Sequence, residues 1–355
     1  MAELPTFDVY RSQDGSVSKY IHEDGSETAV KLVKSTQNVL NPLTRAIEEH
    51  RSERNKYSVF ISSSVGCYMC CPFCHLTLKD AKYHPLSGAA ILSNLKEAIE
   101  DKLTFNPDLA QRYVKLSWMG MGDAVNQPEA VRQVSLEFLT WLLDKGYAKG
   151  VDGVDLSTVL PPVKPRWIAE FQALEAELER FPRNPVYAMD NLSYANGKYD
   201  HRNIFRLFYS VHSAIQACRD KVVPGGLPLQ EAVDQLTTYA ARGRYAVILH
   251  HILVDGFNDT EEELAALIEL VNTRFPDNEL RILRYNLCAK SPFHESDRFL
   301  AQIRQLSEQV NFLKVQVSPG SEVSAACGQF IVKDFIRGGQ RKKLGLPDAS
   351  SRSRL

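Results

Sequence analysis

From Phe7 to Val33 apolar and polar residues alternate with a period of two, and Asp14-Gly15 and Asp24-Gly25 break the alternation as turn dipeptides. The pattern predicts a small antiparallel β meander. From residue 57 the rhythm changes, and strand-like runs at 57–64, 113–120, 153–158, 204–212, 245–253 and 279–287 are separated by stretches of helical periodicity. Strands that alternate with helices imply parallel βα units. The chain is therefore expected to be an α/β protein, a partial (β/α)6 barrel with an N-terminal antiparallel β appendage. Between the strands, Val131, Val134, Phe138 and Leu142 recur at helical spacing behind Pro128 and before Gly146. Thr260 and Glu263 read as a capping box ahead of Leu264, Leu267 and Val271.

The same reading divides the chain into a meander and linker at 1–50, the barrel at 51–336 and a mobile basic tail at 337–355 that carries Arg341, Lys342, Lys343, Arg352 and Arg354. Residues 165–203 are longer than one crossover needs. Their second half, rich in Pro, Asn, Tyr and Gly, reads as an insertion over one face of the barrel. Composition changes little: 355 residues that are 44% hydrophobic and 24% charged exclude fibrous or largely disordered architectures. Lys plus Arg at 42 against Asp plus Glu at 43 gives a net charge of -1, so any basic surface for nucleic acid must be local. No segment reaches the roughly 18–20 apolar residues that span a membrane, and the first residues lack a basic stretch followed by an apolar one. A cytoplasmic protein is expected.

Seven cysteines, four of them between Cys67 and Cys74, do not form a disulfide framework and point to reduced thiols for metal or catalysis. Cys67-x-x-x-Cys71-x-x-Cys74 follows the first barrel strand, and active-site groups of βα barrels gather at the C-terminal ends of strands. Three thiolates on a four-iron cluster leave one iron open to chelation by the amino and carboxylate groups of an amino acid. The plain alternatives are a zinc site and a chance group of buried thiols. Zinc takes four ligands, and Cys70 and His75 lie too close in sequence for the usual paired knuckles. The triad, with Phe73 before its last cysteine, resembles the radical S-adenosylmethionine superfamily, which implies a [4Fe-4S] cluster held by Cys67, Cys71 and Cys74 and S-adenosyl-L-methionine as cofactor.

Further segments point to one branch of it. They are 62–67 (Ser-Ser-Ser-Val-Gly-Cys), Gly120-Met121-Gly122-Asp123, Leu156-Ser157-Thr158, Ser210-Val211-His212, 255–259 (Asp-Gly-Phe-Asn-Asp), Tyr285-Asn286 and 325–329 (Ala-Ala-Cys-Gly-Gln). On these the chain resembles, from about Phe7 to Ile336, the dual-specificity ribosomal and transfer RNA adenine methyltransferases together with the chloramphenicol-florfenicol resistance methyltransferase. Each piece also has its own physical reading. Gly120 and Gly122 end a strand where missing side chains let backbone groups approach a ligand. Asp123, Ser157, Ser210, His212 and Asn286 lie at or near strand ends, where they serve either as cofactor contacts or as turn caps. The resemblance assigns Gly122, Asp123, Ser157, Ser210, Val211, His212 and Asn286 to S-adenosylmethionine. It implies that Cys327 first takes a methyl group, that a 5'-deoxyadenosyl radical then activates this methyl for addition to an adenine carbon in rRNA or tRNA, and that Glu27 accepts the ring proton. A ring carbon of adenine is not nucleophilic, so polar transfer from a sulfonium fails where radical addition succeeds. A reductant such as flavodoxin or ferredoxin is implied as partner.

The pattern departs from the family at several points. A resolving cysteine belongs seven positions before Cys67, where this chain has Phe60, so another cysteine substitutes or the reaction ends differently. Cys288 is the first substitute, two residues beyond Asn286, with Cys70 and Cys218 behind it. Asp123 replaces a glutamate, and the family's amino-terminal accessory domain is expected to be absent. Arg45, Arg51, Arg54 and Lys56 are candidates for phosphate contacts or simple solvated charge. Two other functions stay open: a radical enzyme on this scaffold with a different substrate or a non-methylating reaction, and a catalytically silent, cluster-containing RNA-binding protein.

Overall fold

The alternating segment folds as β1 (Phe7–Arg11), β2 (Val17–His22) and β3 (Glu27–Leu32), turning at Gly15 and Gly25 with φ of 69° and 87°. A left-handed backbone suits glycine there. The structure, a computed structural model, describes residues 7–32, 36–40, 47–51, 55–185, 203–240, 246–286 and 291–316, with Ala325 and Gln329. After a hairpin of β4 (Thr36–Leu40) and β5 (Ile47–Arg51) the βα rhythm begins. It runs β6 (Lys56–Phe60), β7 (Ser64–Val65), α1 (His75–Leu78), β8 (His84–Pro85), α2 (Gly88–Phe105), β9 (Tyr113–Trp118) and α3 (Pro128–Asp144). It continues with β10 (Gly150–Thr158), α4 (Trp167–Leu178), β11 (Phe205–Ser210), α5 (Gln216–Val222), α6 (Leu229–Ala240) and β12 (Ala246–Ile252). It closes with α7 (Glu261–Arg274), β13 (Leu280–Leu283), α8 (Phe299–Gln309) and β14 (Leu313–Gln316).

Ten strands form one sheet in the order β1-β2-β3-β6-β9-β10-β11-β12-β13-β14. Every neighbouring pair from β6 onward is parallel, as expected of βα units. The meander joins this sheet directly, because β3 pairs antiparallel with β6 through Val30 and Val59. β14 is a strand that the apolar pattern does not announce. Its four residues are too short and too exposed to show an alternation. The first half of 165–203 supplies the crossover helix α4, whose Trp167, Phe171, Leu174 and Leu178 are buried; 186–202, and the tail 337–355, lie outside the described residues.

The registers give the sheet two unlike faces. Val30, Val59, Leu116, Val154, Leu207, Val247 and Leu280 line the outer face and join one core with Leu95, Phe138, Phe171, Leu236 and Leu267 of the helices. Burial of each such side chain contributes on the order of 1.5–3 kcal/mol. The predicted helical stripe on α3 is buried as its spacing requires. Thr260 caps α7 by accepting from the Glu263 amide at 3.2 Å, but the box is half made: the Glu263 carboxylate accepts instead from Ser213 Oγ at 2.9 and 3.0 Å.

The inner face, turned away from the helices, is polar. Ser58, Lys115, Asp155, Arg206, Ser210, His250 and Arg281 alternate with the core residues. Their charges are paired within the sheet: Asp155 bridges Lys115 at 3.0 Å and Arg206 at 2.5 Å, and Lys56 pairs with Asp152 at 2.9 Å. Burial pushes the Asp155 carboxyl up, but Arg206 and Lys115 outweigh it and hold the group well below the usual carboxylate range. The strands thus build a wall of apolar support and present polar chemistry inward. Among the described residues no helix is long and apolar enough to cross a membrane.

Candidate active site

The cysteine loop leaves the sheet at β6 and is pinned at once by serines. Ser62 Oγ donates to the Glu27 carbonyl at 2.6 Å and accepts from the Met121 amide at 3.0 Å. Ser64 Oγ donates to the Gly66 carbonyl at 2.8 Å. These side-chain bonds end the expected strand four residues early, at Phe60 rather than 64. Gly66 has φ 67°, and a Cβ there would lie 2.3 Å from the Lys82 carbonyl oxygen, so only glycine turns the chain tightly enough to start the loop. Cys71 and Met69 are buried with Val222 and Val223 of the α5 region, and Cys67, Phe73, Cys74 and Cys218 pack against this group. The Gly225 amide donates to the Met69 carbonyl at 3.2 Å and closes the contact.

Cys67, Cys71 and Cys74 therefore share one small apolar setting. Cys74 precedes α1, and its amide donates to the Cys71 carbonyl at 3.0 Å. Burial pushes the Cys67 thiol up to about 12, with Asp123 and Cys70 adding to it, and raises Cys71 well above the usual thiol range, with Cys74 and Cys67 adding. Thiols so placed become thiolates only against strong positive charge. Cys70 is exposed, with φ 54°, and stands apart from the group. Among the described residues no three His, Cys, Asp or Glu side chains converge on a single-ion site. Three thiols on one loop are a donor set of the kind that holds a multi-iron cluster with one iron left open.

Opposite the loop lies the Gly120–Asp123 turn. A Cβ on Gly122, whose φ is 86°, would fall 2.1 Å from Ser64 Oγ, and one on Gly120 would fall 2.6 Å from Ser62 Oγ. The absent side chains let the ends of β6 and β9 touch. Asp123 accepts from Thr158 Oγ1 at 2.8 and 2.9 Å, from the Val159 amide at 2.9 Å and from the Val125 amide at 3.2 Å. It braces β9 against β10. Burial raises its carboxyl to about 6 although all three donors pull the other way.

Ser157 and Ser210 meet across β10 and β11, Oγ to Oγ 3.4 Å. His212 follows with φ 54°, its ring edge-on to Phe73 at 5.2 Å, and its buried Nδ1 has no partner. Burial, then His251 and Arg219, drive its pKa well below the usual imidazole value, so the ring is neutral. Arg219, which the sequence reading missed, is buried behind these strand ends and donates to the carbonyls of Val211, Ser210 and Val159, the last two at 3.3 and 2.9 Å. No local motif marks it. Tyr285 Oη donates to the Phe73 carbonyl at 3.3 Å, which ties the cysteine loop across to β13, and half-buried Asn286 comes next. Gly122, Asp123, Ser157, Ser210, Val211, His212 and Asn286 thus sit at or just beyond the ends of β9, β10, β11 and β13.

No family model matches the chain. A probable dual-specificity RNA methyltransferase RlmN of Synechococcus sp. is 24% identical over 325 residues, covering 89% of this chain and 80% of its own length. The protein of that name in Porphyromonas gingivalis is 25% identical over 335 residues, covering 92% and 76%. The chain resembles these methyltransferases along most of its length. A solved radical SAM methyltransferase from Sphaerobacter thermophilus covers 93% of this chain with 82% of its own, at a TM-score of 0.62 and 19% identity. The fold is the partial radical SAM barrel.

Glu27 is not a solvated carboxylate. It is buried on β3 and paired with Lys19 at 2.5 Å, because the meander packs this face inward. Phe60 packs against Val17, Ala29 and Ala325, with Lys31 Nζ 4.0 Å from its ring centre. Lys31 Nζ donates to the Ala325 carbonyl at 2.6 Å and Lys19 Nζ to that of Gln329 at 3.1 Å. Cys327 and Cys288 lie outside the described residues, as do Arg45, Arg54 and the side chain of Arg51. Lys56, a candidate for phosphate, is buried against Asp152 and does not reach solvent. Cys218 Sγ donates to the Phe257 carbonyl at 3.0 Å, and burial raises this thiol to about 11.

Proposed function

We propose that the chain is a radical S-adenosylmethionine methyltransferase acting on an adenine carbon in rRNA or tRNA, with a [4Fe-4S] cluster on Cys67, Cys71 and Cys74. The observation that carries this is the placing of three thiols in one apolar cluster on the loop after β6, beside a glycine-lined Gly120–Asp123 turn, on a fold shared with a radical SAM methyltransferase. When bound, the cluster and S-adenosylmethionine supply one-electron cleavage of a sulfonium bond and an activated methyl group.

The chain's own residues do the rest. Gly120 and Gly122 keep the strand ends open to backbone contact with the cofactor, and Asp123 fixes the spacing of β9 and β10 around it. Ser157, Ser210, Val211, His212 and Asn286 supply neutral hydrogen-bonding groups. His212 offers its unpartnered Nδ1 without bringing a charge next to a sulfonium. Cys327 is the methyl carrier in this reading; its neighbours Ala325 and Gln329 are bonded to Lys31 and Lys19, on the strands that hold Glu27. Glu27 receives the ring proton, and Lys19 stabilises its carboxylate in a buried setting where an unpaired charge is costly. A flavodoxin- or ferredoxin-type protein delivers the electron, and the reaction takes place in the cytoplasm.

A second reading rests on Phe60, which puts an aromatic ring where relatives of this branch carry a thiol. On that reading the scaffold performs the radical step on another substrate or does not methylate. Anaerobic reconstitution, reduction and addition of S-adenosylmethionine should release 5'-deoxyadenosine, and mass spectrometry should find a methyl on Cys327. Cleavage without the methyl supports the second reading. A full cluster with no cleavage overturns both and leaves a silent RNA-binding protein.

A further inference from the structure

The strand-end groups read from the sequence come from β9, β10, β11 and the end of β13, and β12 contributes none. The structure fills that gap with His250. Its register partners are Ser210 on β11 and Arg281 on β13, which puts its side chain on the inner face, and its ring lies 4.6 Å from that of Phe208 at 39°. The residue is 5% exposed, and its buried Nε2 has no partner. The neighbouring polar groups on this face are already engaged: Asp155 holds Lys115 and Arg206, and Arg281 holds Glu279. Ser157 and Ser210 meet only at 3.4 Å, which leaves hydroxyl capacity beside the imidazole.

A buried ring nitrogen left unmet is costly, and native interiors rarely keep one unless a water or a ligand completes it. The ring is neutral, because burial, then Arg281 and Lys115, disfavour its protonated form and outweigh Asp155, which favours it. It therefore offers one donor and one acceptor, not a charge. Two hydroxyls and a neutral imidazole match a nucleoside, with its ribose hydroxyls and its ring nitrogens, better than they match an anion.

We propose that His250 is a nucleoside-binding residue, whose Nε2 hydrogen-bonds the adenosine seated on the inner face beside Ser157 and Ser210. The assignment rests on the reading above only in that the site takes an adenosine-bearing molecule. That adenosine belongs either to S-adenosylmethionine or to the RNA.

Two probes separate these sources on the reconstituted, unreduced full chain: S-adenosylmethionine by equilibrium dialysis and an adenosine-containing RNA oligonucleotide by fluorescence anisotropy. His250→Phe fills the volume without the hydrogen bond, and His250→Gln restores donor and acceptor. The phenylalanine variant should weaken one probe by about tenfold, the worth of one well-made hydrogen bond, while the glutamine variant recovers most of it. Loss confined to the cofactor assigns the nucleoside to S-adenosylmethionine, and loss confined to the oligonucleotide assigns it to RNA. Wild-type binding of both probes by His250→Phe, or equal loss in both variants, overturns the proposal and leaves a bridging water or simple packing. A wild-type chain that binds neither probe overturns the functional reading as well. Should the variants fail to fold, isotope-labelled histidine in the wild-type chain gives the same decision: the Nε2 resonance of His250 shifts on addition of the bound probe, and an unmoved resonance with both probes sinks the idea.

Discussion

Gly122 shows how one missing side chain shapes the site. Its φ of 86°, and the 2.1 Å that would separate a Cβ from Ser64 Oγ, leave alanine two penalties. The left-handed backbone costs about 1–2 kcal/mol, and Ser64 must rotate off the Gly66 carbonyl that starts the cysteine loop. Gly122→Ala should therefore bind less iron per chain on reconstitution, in addition to melting earlier; full iron content would show that the Ser64 contact is dispensable. A second prediction concerns His251, which burial drives down to about 3 from the ordinary 6.5. The unfolded chain takes up this proton below 6.5 while the folded chain refuses it, so stability is full above 6.5 and falls as the pH drops. Each pH unit below that point costs about 1.4 kcal/mol from this residue. His212 and His250 are shifted in the same direction. Urea midpoints should decline between pH 6.5 and about 5, and less steeply in His251→Asn; an unchanged slope would mean that His251 is reached by water.

At the scale of elements, the meander is held by more than its strand pairing. Lys102, buried on α2, donates to the Gly15 carbonyl and to Ser18 Oγ, both at 2.9 Å. Lys102→Met keeps the stem but leaves those acceptors unmet, and about 1–3 kcal/mol should be lost, with faster hydrogen exchange in β1 and β2 than in β10. Uniform exchange across the sheet would show that the meander does not open by itself. This joint illustrates what sequence can reveal. The βα order is legible because long apolar runs alternate with helical stripes, and the cysteine triad is legible because its spacing is local. Non-local partners are not. Nothing next to Glu27 in sequence announces Lys19, which reaches it from the adjacent strand, and Lys56 reads as one of a basic group until Asp152 meets it from β10. Arg219 and His250 belong to no motif, and their importance comes from the carbonyls that the fold places around the one and the unmet ring nitrogen that it leaves on the other. β14, with four half-exposed residues, carries too little pattern to announce itself.

For the whole molecule the decisive feature is a sheet whose outermost described strands are β1 and β14, with a polar inner face between them. Ala325 and Gln329 lie at the meander, where they accept from Lys31 on β3 and Lys19 on β2. Between the edges, Asp155 on β10 draws Lys115 of β9 and Arg206 of β11 onto one carboxylate and so fixes the spacing of three adjacent strands. Asp155→Asn preserves shape and removes the shared charge, which leaves the buried Arg206 and the half-buried Lys115 without their common anion. The expected loss is about 3–5 kcal/mol, read from urea unfolding. The triple replacement Asp155→Leu, Lys115→Met and Arg206→Met removes every charge at once and should recover most of that loss, because the desolvation cost disappears together with the attraction. If Asp155→Asn costs less than about 1 kcal/mol, solvent already screens the network, as it does for surface pairs. The inner face would then be a wet channel through the barrel, and the strand ends would rest on water where the ion pairs now give them a rigid floor.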